Sequence, residues 1–245
     1  MMLCFARCIA SEFLKTKRLK FRRAHIWIPM CAALFFSFYY RYSAWNNEVK
    51  ISAYFQVLSM GTPFLVSLFC SLLAEQEAAA GAFFHMLSAP ERRHVFLAKL
   101  TLLIISGGFC VSLAGLLFAL LYAVDGAYLF YAEAVFLLWL GSLPLYIWHS
   151  FLALRFPKAL SLITGMTESL LAALMITAIG DYIWPYLPCA WPIRWLTSLA
   201  EAYFMQKSLN DSFYTTALAC VMICVFLFIA FIVFAERVEN MNNRN

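Results

Sequence analysis

Charged residues are scarce in this chain of 245 residues. Only 13% of the positions are Asp, Glu, Lys or Arg, whereas 64% are hydrophobic. A soluble domain usually has about 25% charged residues. Water is therefore not the main solvent of this chain, and much of its surface is expected to face lipid.

Sequence motifs for soluble chemistry are also missing. The chain has no P-loop pattern, no HExxH pair and no CxxC pair, and its four histidines lack metal-ligand spacing. Nine glycines and eight prolines form no linker or repeat. We therefore expect residues 1–245 to be one domain that binds no cofactor or metal and has no catalytic site. Cys189 is the only cysteine in a predicted outer segment, so no disulfide framework is implied.

Long apolar runs make up about half of the chain. A transmembrane helix needs about 20 apolar residues. Six runs meet this length and predict an all-α, polytopic membrane protein, with a tight turn at Asp125–Gly126 between the third and fourth. The predicted spans are 25–45, 53–74, 95–124, 128–153, 159–180 and 213–235.

The N-terminal segment, residues 1–24, is predicted to be an interfacial amphipathic helix. Phe5, Ile9 and Phe13 recur at helical spacing, and the first 23 residues carry seven basic side chains against one acid, Glu12. Beside a membrane span, such a basic cluster is typical of a flank attracted to anionic lipid rather than of nucleic-acid binding.

The distribution of basic residues predicts the orientation. With the N-terminus inside, 14 of the 18 lysines and arginines lie in cytoplasmic segments and four in outer segments. The positive-inside rule then places both termini in the cytoplasm of a multi-pass cell-membrane protein.

The cytoplasmic connection between the second and third spans is longer than it needs to be. It runs through residues 75–94 and contains charges at both ends. Ser88 and Glu91 have the spacing of a capping box, which predicts a helix start before the third span. A short surface helix fits the part before Ser88.

The outer connection between the fifth and sixth spans is too apolar for a solvent loop. Residues 184–195 contain three prolines and three tryptophans. Proline interrupts helices, and broken backbone at membrane depth must be covered by protein. The pattern predicts a structured, re-entrant segment that closes the outer side of the bundle.

Glu168 is an acid well inside the fifth predicted span. Burial of a carboxylate there is costly unless it is paired or faces water. Two interpretations stay open: a polar point on a substrate path or between subunits, or a protonated carboxyl bonded to a hydroxyl or to His149.

The layout of these segments resembles the ABC-2 type permease, the membrane half of ABC exporters (type V exporter-like). Three stretches are more specific and resemble lantibiotic-immunity permeases of the MutG/NisG-like branch, with the MutE/EpiE-like branch as the alternative. They are residues 11–18 (SEFLKTKR), residues 75–100 with Glu75-Gln-Glu, Ala80-Gly81, Leu87-Ser-Ala-Pro90, Arg93 and Ala98-Lys99-Leu100, and residues 183–194 (IWPYLPCAWPIR).

The resemblance implies a transport subunit rather than an enzyme. Such permeases pair with a second, homologous permease and with two copies of a cytoplasmic ATPase, which binds ATP-Mg. The complex expels lantibiotics, cationic antimicrobial peptides, from the membrane of a Gram-positive bacterium. The alternatives are an ABC-2 permease for a bacitracin-like peptide or a lipid, and an intramembrane enzyme.

Two sets of site residues follow from this expectation. Force from the ATPase must enter through cytoplasmic structure, which predicts coupling contacts on residues 75–94. An outer gate or substrate path is predicted at the fifth span and the outer segment. The coupling set is Glu75, Glu77, Arg92 and Arg93, and the outer set is Glu168, Asp181, Trp184, Trp191 and Trp195.

Overall fold

A computed structural model describes residues 2–16, 20–81, 83–89, 91–122, 128–209 and 211–238. These residues form α-helices and short 3-10 turns without a β-strand among them, so the all-α prediction is confirmed. The predicted turn at Asp125–Gly126 lies outside the described residues. The helices are α1 (Met2–Lys15), α2 (Lys20–Tyr42), α3 (Asn47–Ala79), α4 (Phe84–Leu87), α5 (Arg92–Leu121), α6 (Tyr128–Arg155), α7 (Lys158–Leu174), α8 (Trp191–Met205) and α9 (Asp211–Arg237).

Four of the described helices are long and apolar enough to cross a membrane: α3, α5, α6 and α9. They match the second, third, fourth and sixth predicted spans. The other two predicted spans correspond to α2 and α7, and α7 has only 17 residues. The chain is thus a multi-helix membrane protein, and the six-span topology stays a prediction.

Two of the differences between the helix boundaries and the predicted spans affect the predicted site segments. α3 continues to Ala79 rather than ending at residue 74, so Glu75 and Glu77 lie on its last turns instead of on a surface segment. The fifth predicted span extends to residue 180, but α7 ends at Leu174 and is followed by 3-10 turns.

The capping-box prediction before the third span is wrong. α5 begins at Arg92 with Glu91 as its N-cap residue, and no side chain caps it. Ser88 is therefore too far from the helix start to serve as a cap. The Glu91 carboxylate instead lies 2.6 Å from the Nδ1 atom of His94. The short helix α4 takes the place of the predicted surface helix.

Small residues allow the helices to approach closely. A Cβ atom on Gly165 of α7 would lie 2.2 Å from Ser67 Oγ of α3, and one on Gly115 of α5 would lie 2.3 Å from Val135 Cγ2 of α6. Glycine at such contacts lets backbones of membrane helices come together without a clash. A larger residue at either position would force the helices apart.

An aromatic cluster joins α3 to α5 away from the charged ends of the bundle. The rings of Tyr54 and Phe118 are stacked with centroids 3.8 Å apart, and both side chains are fully buried. The Tyr54 hydroxyl donates a hydrogen bond to the Ala114 carbonyl at 3.0 Å. Each ring therefore buries a large apolar surface while the hydroxyl keeps a partner.

The helix ends alternate between two sides of the bundle. On one side, Lys158 at the start of α7 pairs with Glu75 at the end of α3, 2.7 Å apart. On the other, the Tyr122 hydroxyl donates to the side-chain oxygen of Asn47 at 2.7 Å. This arrangement places residues 75–94 and 181–209 on opposite sides, as the basic-residue distribution predicts.

This orientation predicts which single cysteines react from outside the cell. Cys189 is 5% exposed and is a poor probe, although it belongs to the outer segment. Lys207 and Glu75 have side chains 58% and 57% exposed. In a chain without other cysteines, a membrane-impermeant maleimide should label Lys207→Cys in intact cells but Glu75→Cys only after lysis.

The cysteine-free chain is the control for background labelling. Labelling of Glu75→Cys in intact cells, or protection of Lys207→Cys there, would reverse the assigned orientation.

Candidate functional site

A buried cluster of four charged residues connects α1 to the end of α3 and the start of α5. The Lys99 amine lies 2.5 Å from Glu12 Oε2 and 2.6 Å from Glu77 Oε1. Lys15 contacts the same two carboxylates at 2.8 and 3.4 Å. The side chains of Glu12, Glu77 and Lys99 are only 3–4% exposed.

The local sequence explains why these residues meet. Glu12 and Lys15 are three positions apart and therefore lie on one face of α1. Burial lowers the pKa of Lys15, but the Glu12 and Glu77 carboxylates outweigh burial and raise that pKa above its ordinary value. Buried charges are tolerated when each is paired, so the cluster fixes the position of α1 against α3 and α5.

The four predicted coupling residues occupy different environments. Glu75 is exposed and pairs with Lys158, whereas Glu77 is buried in the charged cluster. Arg92 donates to the Val238 carbonyl at 2.8 Å, and Arg93 lies 3.8 Å from Glu236. The two arginines thus join the start of α5 to the end of α9. Glu77 is buried, so a partner protein could act on it only indirectly, through residues such as Lys99.

Glu168 is bonded to His149, as one of the two sequence interpretations predicted. Its Oε2 lies 2.8 Å from His149 Nε2, and His149 Nδ1 lies 3.3 Å from Ser161 Oγ. These contacts link α6 to two turns of α7. His149 is fully buried, while the Glu168 side chain is 17% exposed.

The serine, histidine and carboxylate form a chain of polar contacts like that of a hydrolytic triad. A nucleophile must touch its substrate, however, and Ser161 is completely buried. The geometry therefore favours a polar connection between helices, with the carboxylate as its accessible end.

The accessible side of Glu168 faces a pocket of about 390 Å³. Its other lining residues are almost all apolar and come from α6, α7, α9 and the outer segment. Leu187, Pro188 and Cys189 provide the part from the outer segment. Of the predicted outer set, only Glu168 lines this pocket; Asp181 and the three tryptophans are not among its lining residues.

Arg194 holds the outer segment against the end of α7. It donates from Nε to the Met175 carbonyl at 2.5 Å and from Nη2 to the Thr177 carbonyl at 3.1 Å. The same Nη2 lies 2.8 Å from Asp181 Oδ1. The carbonyl of Met175, the C-cap residue of α7, lacks a partner within the helix, and Arg194 supplies one.

The three predicted tryptophans are buried. Trp191 and Trp195 are at most 1% exposed, and Trp184 is 8% exposed. Trp191 Nε1 donates to the Pro185 carbonyl at 3.0 Å, and Trp195 Nε1 donates to Thr216 Oγ1 at 2.9 Å. Trp191 thus supplies a donor to a carbonyl of the proline-rich segment.

Helix α8 is the main feature that the sequence analysis missed. It follows three 3-10 turns, Ala178–Gly180, Trp184–Tyr186 and Pro188–Ala190, and it packs against α3, α6 and α9. A Cβ on Gly141 of α6 would lie 2.9 Å from Pro192, so glycine allows this contact. Apolar residues at helical spacing after Pro192 were the available signal.

The comparison with protein families decides the assignment. A family model described as ABC-2 family transporter protein matches residues 8–183, which is more than half of the chain. The chain belongs to the ABC-2 transporter family. The comparisons with curated proteins and with solved structures gave no match.

Membership of the family indicates which role an ABC-2 permease has in a transporter. Members are membrane subunits of transporters that are generally not catalytic themselves and normally partner with an ABC ATPase. The matched region contains the charged cluster and the Glu168–His149 pair, but it ends before α8. Among the described residues of the permease, no group of His, Cys, Asp and Glu could hold a metal ion.

The charged cluster predicts a large effect for one substitution. Lys99→Met should leave the Glu12 and Glu77 carboxylates buried without their main partner and lower the free energy of unfolding by about 3–5 kcal/mol. Lys158→Met, which removes an exposed ion pair, should cost less than about 1 kcal/mol. Thermal unfolding of the purified chain in detergent would measure both.

A triple variant separates charge burial from loss of packing. Adding Glu12→Gln and Glu77→Gln to Lys99→Met removes the unpaired charges and should recover part of the stability. A triple variant no more stable than Lys99→Met would contradict the electrostatic explanation.

Proposed function

We propose that this chain is the permease subunit of an ABC exporter that expels lantibiotic peptides from the membrane and so gives immunity or resistance. It would act with a second, homologous permease and two copies of a cytoplasmic ATPase in a Gram-positive bacterium. The motifs at residues 11–18, 75–100 and 183–194 support the lantibiotic branch within the ABC-2 family.

The observation that carries the proposal is the pocket shared by Glu168 and the outer segment. An apolar pocket with one carboxyl group suits an amphiphilic cation, because apolar groups gain by burial and the carboxylate attracts positive charge. Lantibiotics combine both properties. A neutral lipid would gain nothing from the acid.

The charge balance of the outer side also favours a cationic substrate. Three of its four basic residues are already engaged: Arg194 with Asp181, Lys207 with Glu201, and Lys50 with the Tyr122 ring at 5.7 Å. Glu48 and Asp211 are exposed acids on the same side. An acidic outer surface attracts cationic peptides over several ångströms.

The outer segment is proposed to act as the gate over this pocket. Asp181 with Arg194 and the three buried tryptophans hold it in a closed position. Opening would expose Trp184 and Trp191, and each buried aromatic side chain favours the closed state by up to about 3 kcal/mol. ATP binding or hydrolysis on the partner would supply the energy.

Coupling to the ATPase is proposed to involve both surface residues and one buried residue. Glu75 and Arg93 are exposed and Arg92 is partly exposed, on the side that the basic-residue distribution assigns to the cytoplasm, so they suit direct contact with the ATPase. Glu77 acts behind them, since its pairing with Lys99 transmits a displacement of α3 to α1 and α5. The buried position of Glu77 thus refines its proposed role.

The alternative substrates predict different behaviour. A permease for bacitracin-like peptides or lipids would leave cells as sensitive to lantibiotics as cells without the complex. An intramembrane hydrolase would need Ser161 and would work without a partner ATPase. Co-purification of the ATPase and the second permease with this chain distinguishes the transporter from the enzyme.

Substitutions of the gate and pocket test the transport mechanism in cells that carry the whole complex. Trp191→Ala should open the outer segment, and Glu168→Gln should remove the negative charge while keeping the side-chain size. Both are expected to lower protection against the peptide about tenfold or more, the loss of roughly one charged or aromatic contact.

Membrane abundance, ATPase activity and peptide sensitivity are measured in the same cells. Trp45→Ala, at an outer tryptophan that is 51% exposed, is the matched control and should retain full protection. Sensitivity that follows abundance alone in all three variants would mean that the segment is a static interfacial belt.

A charge-reversal pair tests the coupling surface. Glu75→Lys with Arg93→Glu changes two exposed residues and should uncouple ATP hydrolysis from protection while the protein still inserts. Reversal of Glu77 is avoided because a lysine there would face Lys99 in a buried site. The control is Arg237→Glu on the end of α9. Normal coupling in the double variant would place the ATPase contact elsewhere.

A further inference from the structure

A second pocket, of about 470 Å³, lies where α1 and the start of α2 meet α5. Ligand pockets have volumes of roughly 300–1,000 Å³. The walls are mostly apolar and include Phe13 from α1, Ile26 from α2, and Leu102, Ile105 and Phe109 from α5. It is separate from the Glu168 pocket and from the charged cluster.

The shape of the pocket follows α5. Its lining on this helix runs from Leu102 to Phe109, about 10 Å along the axis. Ile105 and Phe109 are 49% and 54% exposed, so the pocket opens sideways on the face that would meet lipid. A long, apolar ligand could enter it from the bilayer without crossing the protein.

The α2 end of the pocket is strongly basic. Arg22 lines the pocket, and Lys20 and Arg23 are exposed beside it. Within the described part of the chain, none of these three has a carboxylate at ion-pair distance, since the nearby Glu12 is engaged by Lys15 and Lys99. Their positive charge is available to an anionic group.

We propose that this pocket binds one acyl chain of an anionic phospholipid, with the lipid phosphate held by Arg22 and its neighbours Lys20 and Arg23. The basic-residue distribution places the site in the cytoplasmic leaflet. A phospholipid fits better than a protein partner because the apolar slot matches its acyl chain and the unpaired basic residues at the rim match its phosphate. Binding there would tie α1 and α2 to α5, independently of the transported substrate.

The test measures lipid bound to the full chain. The protein is purified in detergent, delipidated, and placed in nanodiscs in which about one lipid in five is phosphatidylglycerol and the rest are phosphatidylcholine. Retained lipids are then counted by native mass spectrometry after gentle release. We expect a retained phosphatidylglycerol in preference to phosphatidylcholine.

Two pairs of variants assign the site. Arg22→Gln should weaken the preference about fivefold, as expected for loss of one basic residue at a lipid headgroup. Arg237→Gln, an exposed arginine on α9, is its control. Ser106→Phe fills the pocket and should abolish retention, whereas Ser112→Phe, an exposed position on the same helix, should not.

Several outcomes would overturn the proposal. These are equal retention of both phospholipids, equal effects of a variant and its control, and unchanged retention in Ser106→Phe. Loss of self-association in Ser106→Phe without any change in bound lipid would assign the pocket to a second copy of the chain. Circular dichroism of each variant confirms that it is folded. Glycerol phosphate and short-chain phosphatidylglycerol are compared as competitors for the bound lipid. Equal displacement by the two would show that the acyl chain contributes nothing to binding.

Discussion

The placement of Lys99 between two buried carboxylates determines how α1, α3 and α5 meet at one end of the bundle. A lone lysine amine inside a helix bundle would be strongly destabilising, and a lone glutamate likewise. Glu12 comes from α1 and Glu77 from α3, so the loss of either carboxylate would leave the buried amine with one partner instead of two. The amphipathic helix is thereby part of the bundle rather than a loose anchor on the lipid surface.

The outer end is held by different forces. Stacked aromatic rings join α3 to α5, and buried tryptophans with Arg194 fix the segment between α7 and α8. Apolar contacts of this kind are not directional and tolerate rearrangement better than a network of paired buried charges. We therefore expect the aromatic end of the bundle to rearrange more readily than the end that is held by the charged cluster.

Sequence patterns predicted those contacts that follow from the chemistry of a single residue and its surroundings in the chain. Glu168 inside an apolar run needed a partner, and His149 is that partner. Helix α8 was missed because Pro192 and the charged Arg194 obscure an apolar periodicity that is only 15 residues long. The pairing of Lys99 with Glu12 and Glu77 was missed because it depends on how three helices pack, which spacing along the chain does not specify. The Ser88 cap failed because the chain before α5 turns through α4 instead.

The short length of α7 has a consequence for the surrounding lipid. Its 17 residues extend about 25 Å, less than the roughly 30 Å of an average hydrocarbon core. Leu170 on this helix is 72% exposed. As a crossing helix, α7 would be shorter than the surrounding hydrocarbon core, and local thinning of the bilayer is one way to relieve such a mismatch. A membrane of shorter acyl chains would then match this helix better.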